Sequence, residues 1–116
     1  MDRDWYWEKG LHDAKIVDVR NINFEYDYTQ RDPLRNMLEI ILDTRMALFD
    51  NSIELIRFYN YKIIEGDENI IHSWWIKDEF WVAKGKNNLK IYLHSKKKTS
   101  ELLISFEVIE VVRKES

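Results

Sequence analysis

Alternation with a period of two runs through most of this chain and leaves little room for any architecture but sheet. Successive residues of a strand point to opposite faces. Lys90, Tyr92 and His94 set against Leu89, Ile91 and Leu93 therefore describe a strand with one wet face and one apolar face. Glu101, Leu103, Ser105 and Glu107 against Leu102, Ile104, Phe106 and Val108 repeat the pattern, as do Ile22, Phe24, Tyr26 and Tyr28 against Asn23, Glu25 and Asp27. Consecutive Val108 and Ile109, with Val111 next at spacing two, break the phase. A bulge at that point bends a strand, as curled sheets require.

A further strand is expected over residues 11–19, with His12, Ala14 and Ile16 on one face. Residues 53–64 are apolar on both faces and predict one long central strand. Residues 33–49 admit two readings. Asp32-Pro33 makes an acceptable helix start, and Leu34, Leu38, Ile41, Leu48 and Phe49 suit one helical face. Arg45 in that face and the run Ile40-Ile41-Leu42 favour a strand over 37–43 instead, with Leu38, Ile40 and Leu42 inward. Polar turns are expected at 29–36, 50–52, 65–69, 77–79, 85–88 and 96–99, which join the strands as hairpins. The expectation is a single all-β domain over residues 1–116. Its strands, about six to eight, form an antiparallel meander curled into a sandwich or partial barrel. The alternative is an α+β fold with one helix near 33–49.

Composition narrows the function. The net charge is -3 with both signs mixed along the chain, so the basic stripe that holds a phosphate backbone is missing and nucleic acid is excluded as a partner. There is no cysteine, which removes disulfides, thiolate chemistry and cysteine-built zinc sites, and suits a reducing cytoplasm. MDRDWYWEKG has no basic stretch leading into an apolar one, and no apolar run approaches about 18 residues, so neither export by a leader nor membrane spanning is expected.

No nucleophile elbow or glycine-rich phosphate loop occurs. His12 and Asp13, if on a strand, face opposite ways, so His12 is expected half-buried on a backbone partner. His72 and His94, on separate predicted strands, lack metal-ligand spacing, and neither metal nor cofactor is expected. Asp78 and Glu79 fall in a predicted turn with a solvated role. Lys96, Lys97 and Lys98 make a solvated hairpin tip or a dock for an acidic partner. No catalytic residue emerges.

The aromatic residues are the remaining lead. Trp5, Tyr6 and Trp7 precede the first strand, and Trp74, Trp75 and Trp81 lie on a predicted hairpin. On a strand over 70–76, Trp74 shares a face with Ile70 and Ile76, whereas Trp75 shares one with Ile71, Ser73 and Lys77; the second face is more polar, so Trp75 is expected to be the more exposed. Two arrangements stay open. The tryptophans pack a core or pin the N-terminal segment across an open end of the sheet. Or Trp75, Trp81, Trp5, Trp7 and Tyr92 form a surface that binds a partner or ligand.

Gly10-Leu11-His12-Asp13-Ala14-Lys15-Ile16, the aromatic segment ahead of it, and Leu55-Ile56-Arg57-Phe58-Tyr59-Asn60-Tyr61 followed by Trp74-Trp75 carry a resemblance. Together they resemble small bacterial proteins of unknown function that open with a hydrophobic-His-Asp-small-x-Ile strand, some of them similar to immunity proteins that neutralise a toxin. The resemblance implies an all-β protein whose work is binding, with no catalytic residue to carry over. The stretch 21–36 is longer and more aromatic than that pattern. The expected function is thus a non-enzymatic domain that binds another protein or a second copy of itself as a homodimer. The alternative is a carbohydrate-binding module, since Trp and Tyr faces stack on the apolar faces of pyranose rings.

Overall fold

Among the described residues, eight strands form one antiparallel sheet: β1 (Ala14–Asn23), β2 (Asn36–Asp43), β3 (Ile53–Tyr59), β4 (Lys62–Glu65), β5 (Trp74–Ala83), β6 (Lys86–His94), β7 (Thr99–Phe106) and β8 (Val108–Arg113). They stand in the order β4-β7-β6-β5-β1-β2-β3-β8. The computed structural model describes residues 5–8, 10–25, 29, 31, 34–47, 50–66, 69–96 and 98–114. No helix occurs among them, and residues 37–43 lie in β2 with Leu38, Ile40 and Leu42 buried. Asp32-Pro33, Leu48, Phe49, Lys97 and Tyr26 to Tyr28, which belong to the helix, lysine run and strand expected from the sequence, lie outside the described residues.

Two three-strand meanders, β1-β2-β3 and β5-β6-β7, meet where β1 pairs with β5 through Ala14 and Trp75 and through Lys15 and Trp74. A bent ribbon joins their far ends. Tyr59 pairs with Val108 in β3 and β8, Lys62 pairs with Ser105 in β4 and β7, and the register is the same on both sides of the break. The corner is made by Asn60 in the left-handed conformation (φ 52°) and by Glu107, whose backbone N–H donates to the Tyr59 carbonyl at 3.1 Å. Asn36 fixes it from β2, accepting from the Tyr61 N–H at 2.8 Å and donating to the Tyr61 carbonyl at 3.1 Å.

Both strands of the ribbon change inward phase there, from Phe58 and Ile109 on one side to Ile63 and Ile104 on the other. The inner faces of both halves feed one cluster, including Ile16, Leu38, Ile40, Ile56, Phe58, Leu89, Ile91 and Ile104. A sheet whose single face encloses one core has to curl around it.

Four expectations are corrected. Residues 53–64 are not one central strand: the corner splits them, and β4 is an edge strand. Residues 11–19 and the described residues 22–25 are not separate strands either. Leu11 to Asp13 form a turn, and Ile22 and Asn23 end β1; the register shift between Ile16 and Asp18 turns Ile22 to the outer face, and both it and Phe24 are exposed. Residues 77–79 are no turn but the middle of β5. Val108 does not continue the inward face of β7; the change of phase expected from consecutive Val108 and Ile109 is made by the break at Glu107, which brings Ile109 inward.

Candidate functional site

The order of exposure expected for Trp74 and Trp75 is reversed. Trp75 is fully buried and pairs with Leu93 and Ala14 on the inner face, while Trp74 is half-buried with the Lys15 ammonium 5.6 Å from its ring centre. The cause is a bulge. Register shifts between Trp75 and Lys77, so the inward positions of β5 run Trp75, Asp78, Phe80, opposite Leu93, Ile91 and Leu89. Ser73 packs inward ahead of them, and what looks like a polar face in sequence is the core face.

The bulge turns a carboxylate inward. Asp78 accepts from Tyr6 Oη at 2.6 Å, from Trp7 Nε1 at 2.6 Å and from Trp75 Nε1 at 2.8 Å. Burial pushes its pKa up, opposed by the donors of Trp7, Tyr6 and Trp75. Among the described residues these partners are neutral, and the arrangement ties the N-terminal segment to β5. Trp5 packs edge-on against Tyr6, Trp7, Phe80 and Phe106, and Trp7 edge-on against Trp75. The aromatic segment closes the core, as one of the two expected arrangements had it. Asp78 is not the solvated turn residue of the sequence reading.

Of the candidate surface residues, Trp75 and Trp7 are therefore interior, their indole N–H groups met by Asp78, whereas Trp5 packs against the core through ring contacts with its own Nε1 buried and unpaired among the described residues. Tyr92 and Trp81 remain on the outside. Tyr92 is half-buried on the outer face of β6, with the Lys77 ammonium 4.6 Å and the Lys90 ammonium 5.5 Å from its ring centre. Trp81, 38% exposed, stands in a wide groove of about 890 Å³ between the β5-β6 hairpin and the ribbon corner. Asn88, Lys62, Lys86 and Glu107 share its walls. The structure does not bring the five candidates together.

His12 donates from Nδ1 to the Ile76 carbonyl at 2.6 Å, the backbone partner expected of it. The expectation that Asp13 faces away is corrected: Asp13 adopts φ 71° in the turn before β1, which leaves its carboxylate 3.9 Å from His12 Nε2. His72 lies in the turn before β5 and not on a strand. Among the described residues no group of three or more histidines and carboxylates is placed to hold a metal ion. No helix among them is long and apolar enough to cross a membrane.

The site that sequence reasoning missed is the outer face of β1, β2, β3 and β8. Arg20 stands beside Glu39, Glu39 beside Arg57, and Arg57 beside Glu110 in consecutive register. Arg57 reaches Glu39 Oε2 from Nε at 2.8 Å and Glu110 Oε1 from Nη1 at 2.8 Å; Arg20 Nη1 lies 3.9 Å from Glu39 Oε1. Glu110 and then Glu39 hold the Arg57 guanidinium well above its ordinary pKa, and Arg57 holds Glu110 below its own. Apolar rows flank this ladder: Ile22, Met37, Tyr59 and Val108 on one side, Ile41, Leu55 and Val112 on the other. Only the four charged positions taken in register could have signalled it, and register across four strands is not visible in the chain.

No family model matches this chain, and neither the curated proteins nor the solved structures include a detectable match.

Proposed function

We propose that this protein is a non-enzymatic binding domain of the bacterial cytoplasm that docks another protein on the outer face of β1, β2, β3 and β8. The observation that carries this reading is the composition of that face. The four charges of its ladder neutralise one another within the surface, and the rows beside them are apolar except for Asp18, with Ile22 42% and Val108 49% exposed at the two ends of one row. Paired charges cost less to dehydrate than isolated ones, and Tyr and Arg between apolar side chains are the residues that contact surfaces favour. A protein partner agrees with the immunity-like proteins that the sequence of residues 10–16 resembles.

A carbohydrate is the second reading, supported by the exposed Trp81 ring in its groove with amide and charged groups around it.

The two readings separate by mutation. Ile22→Lys with Val108→Lys should leave the melting temperature nearly unchanged, because neither side chain belongs to the core. The pair should abolish capture of a protein that the wild type retains from its source cell, while Trp81→Ala preserves it. Capture that survives the double substitution overturns the reading. Saccharide binding that disappears with Trp81→Ala supports the second.

A further inference from the structure

We infer that the partner on this face is a second copy of the chain, related by a two-fold axis that runs along the strands between β2 and β3. The inference rests on the reading of that face as a contact surface. Its charges alternate from β1 to β8: Arg20 positive, Glu39 negative, Arg57 positive, Glu110 negative. A row of alternating sign and even number is its own complement when reversed. An axis along the strands performs that reversal, so Arg20 of one copy faces Glu110 of the other and Glu39 faces Arg57.

Other symmetric stackings fail on charge. An axis lying across the strands sets each strand over itself, and Arg20 then faces Arg20. The apolar rows fit the first axis as well: Ile22 comes over Val108 and Ile41 over Leu55, while Met37, already 8% exposed within its own chain, lies beneath Tyr59 of the second copy. Asp18, which would face Val112, turns its carboxylate back to the Val19 N–H at 2.9 Å and to Arg20 Nε at 3.3 Å.

Exposure follows the same logic. Arg20 and Glu110, at the ends of the row, keep 62% and 48% of their side-chain surface, against 31% for Arg57 and 9% for Glu39. The outer side of a curled sheet is convex, so two such faces touch at β2 and β3 and part toward β1 and β8. Long charged side chains at those rims span the gap. A four-strand face about 15–20 Å wide places the contact at the small end of specific interfaces. Association in the micromolar range, weakened by salt, follows.

The chain has no cysteine, so an introduced thiol is unique. Ile22→Cys mixed with Val108→Cys should give an oxidised heteropair, while neither variant links to itself. Arg20→Glu and Glu110→Arg should each sediment as monomers, and their equimolar mixture should restore dimer; circular dichroism confirms that both fold. If either charge variant unfolds, the cysteine pair decides alone. Wild-type monomer at high micromolar concentration, Ile22→Cys linked to itself, or a mixture that stays monomeric overturns the inference. If the wild type is monomeric but Ile22→Lys with Val108→Lys still loses a captured protein, the binding face stands with a different partner. If that double substitution changes neither self-association nor capture, both proposals fall.

Discussion

Trp75 and Asp78 stand on the same inner face of β5, and the Trp75 indole N–H donates to the Asp78 carboxylate at 2.8 Å. An undistorted strand sends residues three apart to opposite faces. The bulge between Trp75 and Lys77 is what brings them together, and it decides which aromatic ring serves the core.

Trp75→Ala should accordingly cost about 3–5 kcal/mol, since a fully buried ring is lost and a cavity remains. Trp74→Ala, at a half-buried outer position, should cost about 1 kcal/mol. Urea denaturation of both variants checks the order. Equal losses would place the bulge elsewhere.

Asp78 separates charge from hydrogen bonding. In Asp78→Asn the amide oxygen can accept from Trp7 and Trp75 while the amide NH2 donates to the Tyr6 oxygen, so stability near neutral pH should change by about 1 kcal/mol or less. Asp78→Leu orphans three donors and should cost about 2–4 kcal/mol. Because burial raises the folded pKa of Asp78 above 3.8, its contribution is fully present below 3.8 and is lost as pH rises through the folded value. The wild type should therefore gain stability relative to Asp78→Asn as pH falls from 7 toward 4. Parallel pH profiles would contradict this.

Asp50 carries the opposite sign. Burial raises its pKa, but Ser52 and Arg113 outweigh burial and hold it at about 2, below 3.8. Its stabilisation is present above 3.8 and disappears as pH falls toward 2. Asp50→Asn should flatten the acid limb of the stability profile over that interval, read by thermal melts from pH 4 to pH 2.

Gly66 and Gly85 both take positive φ, at 85° and 76°, but only one is crowded. A Cβ on Gly66 would lie 2.3 Å from the Glu101 carbonyl oxygen, whereas nothing lies within 4 Å of one on Gly85. Gly85→Ala should cost about 1–2 kcal/mol from backbone conformation alone. Gly66→Ala should cost about 3 kcal/mol or more, because backbone has to move. Chemical denaturation of the two variants measures the difference.

What was legible in the chain was the regular alternation. Leu89, Ile91 and Leu93, Leu102 and Ile104, and Leu38, Ile40 and Leu42 all point inward as their spacing predicts, because nothing interrupts those strands. Irregularities defeated the rest. A single extra residue before Lys77 inverted the reading of Trp74 and Trp75. Lys77, Asp78 and Glu79 resemble a solvated turn, yet Asp78 is an inward position, and two of its donors, Tyr6 and Trp7, come from more than 70 residues away. Asn60 and Asp13 take positive φ, and that local choice split one predicted strand and set Asp13 beside His12. The charged ladder needs the register of four strands, which is tertiary information. Its members read singly as ordinary outward charges.

The central claim is that the aromatic cluster serves the fold and the outer face of β1, β2, β3 and β8 serves binding. Backbone amide NMR spectra between about 10 µM and 1 mM, spanning the micromolar association expected of a small interface, test it most directly. Concentration-dependent shifts should gather on Ile22, Met37, Glu39, Arg57, Tyr59 and Glu110, with Trp75, Asp78 and the Trp81 groove unchanged. Shifts confined to Trp81 and Lys84 to Asn88 would contradict it, and spectra that do not change with concentration would overturn the self-association.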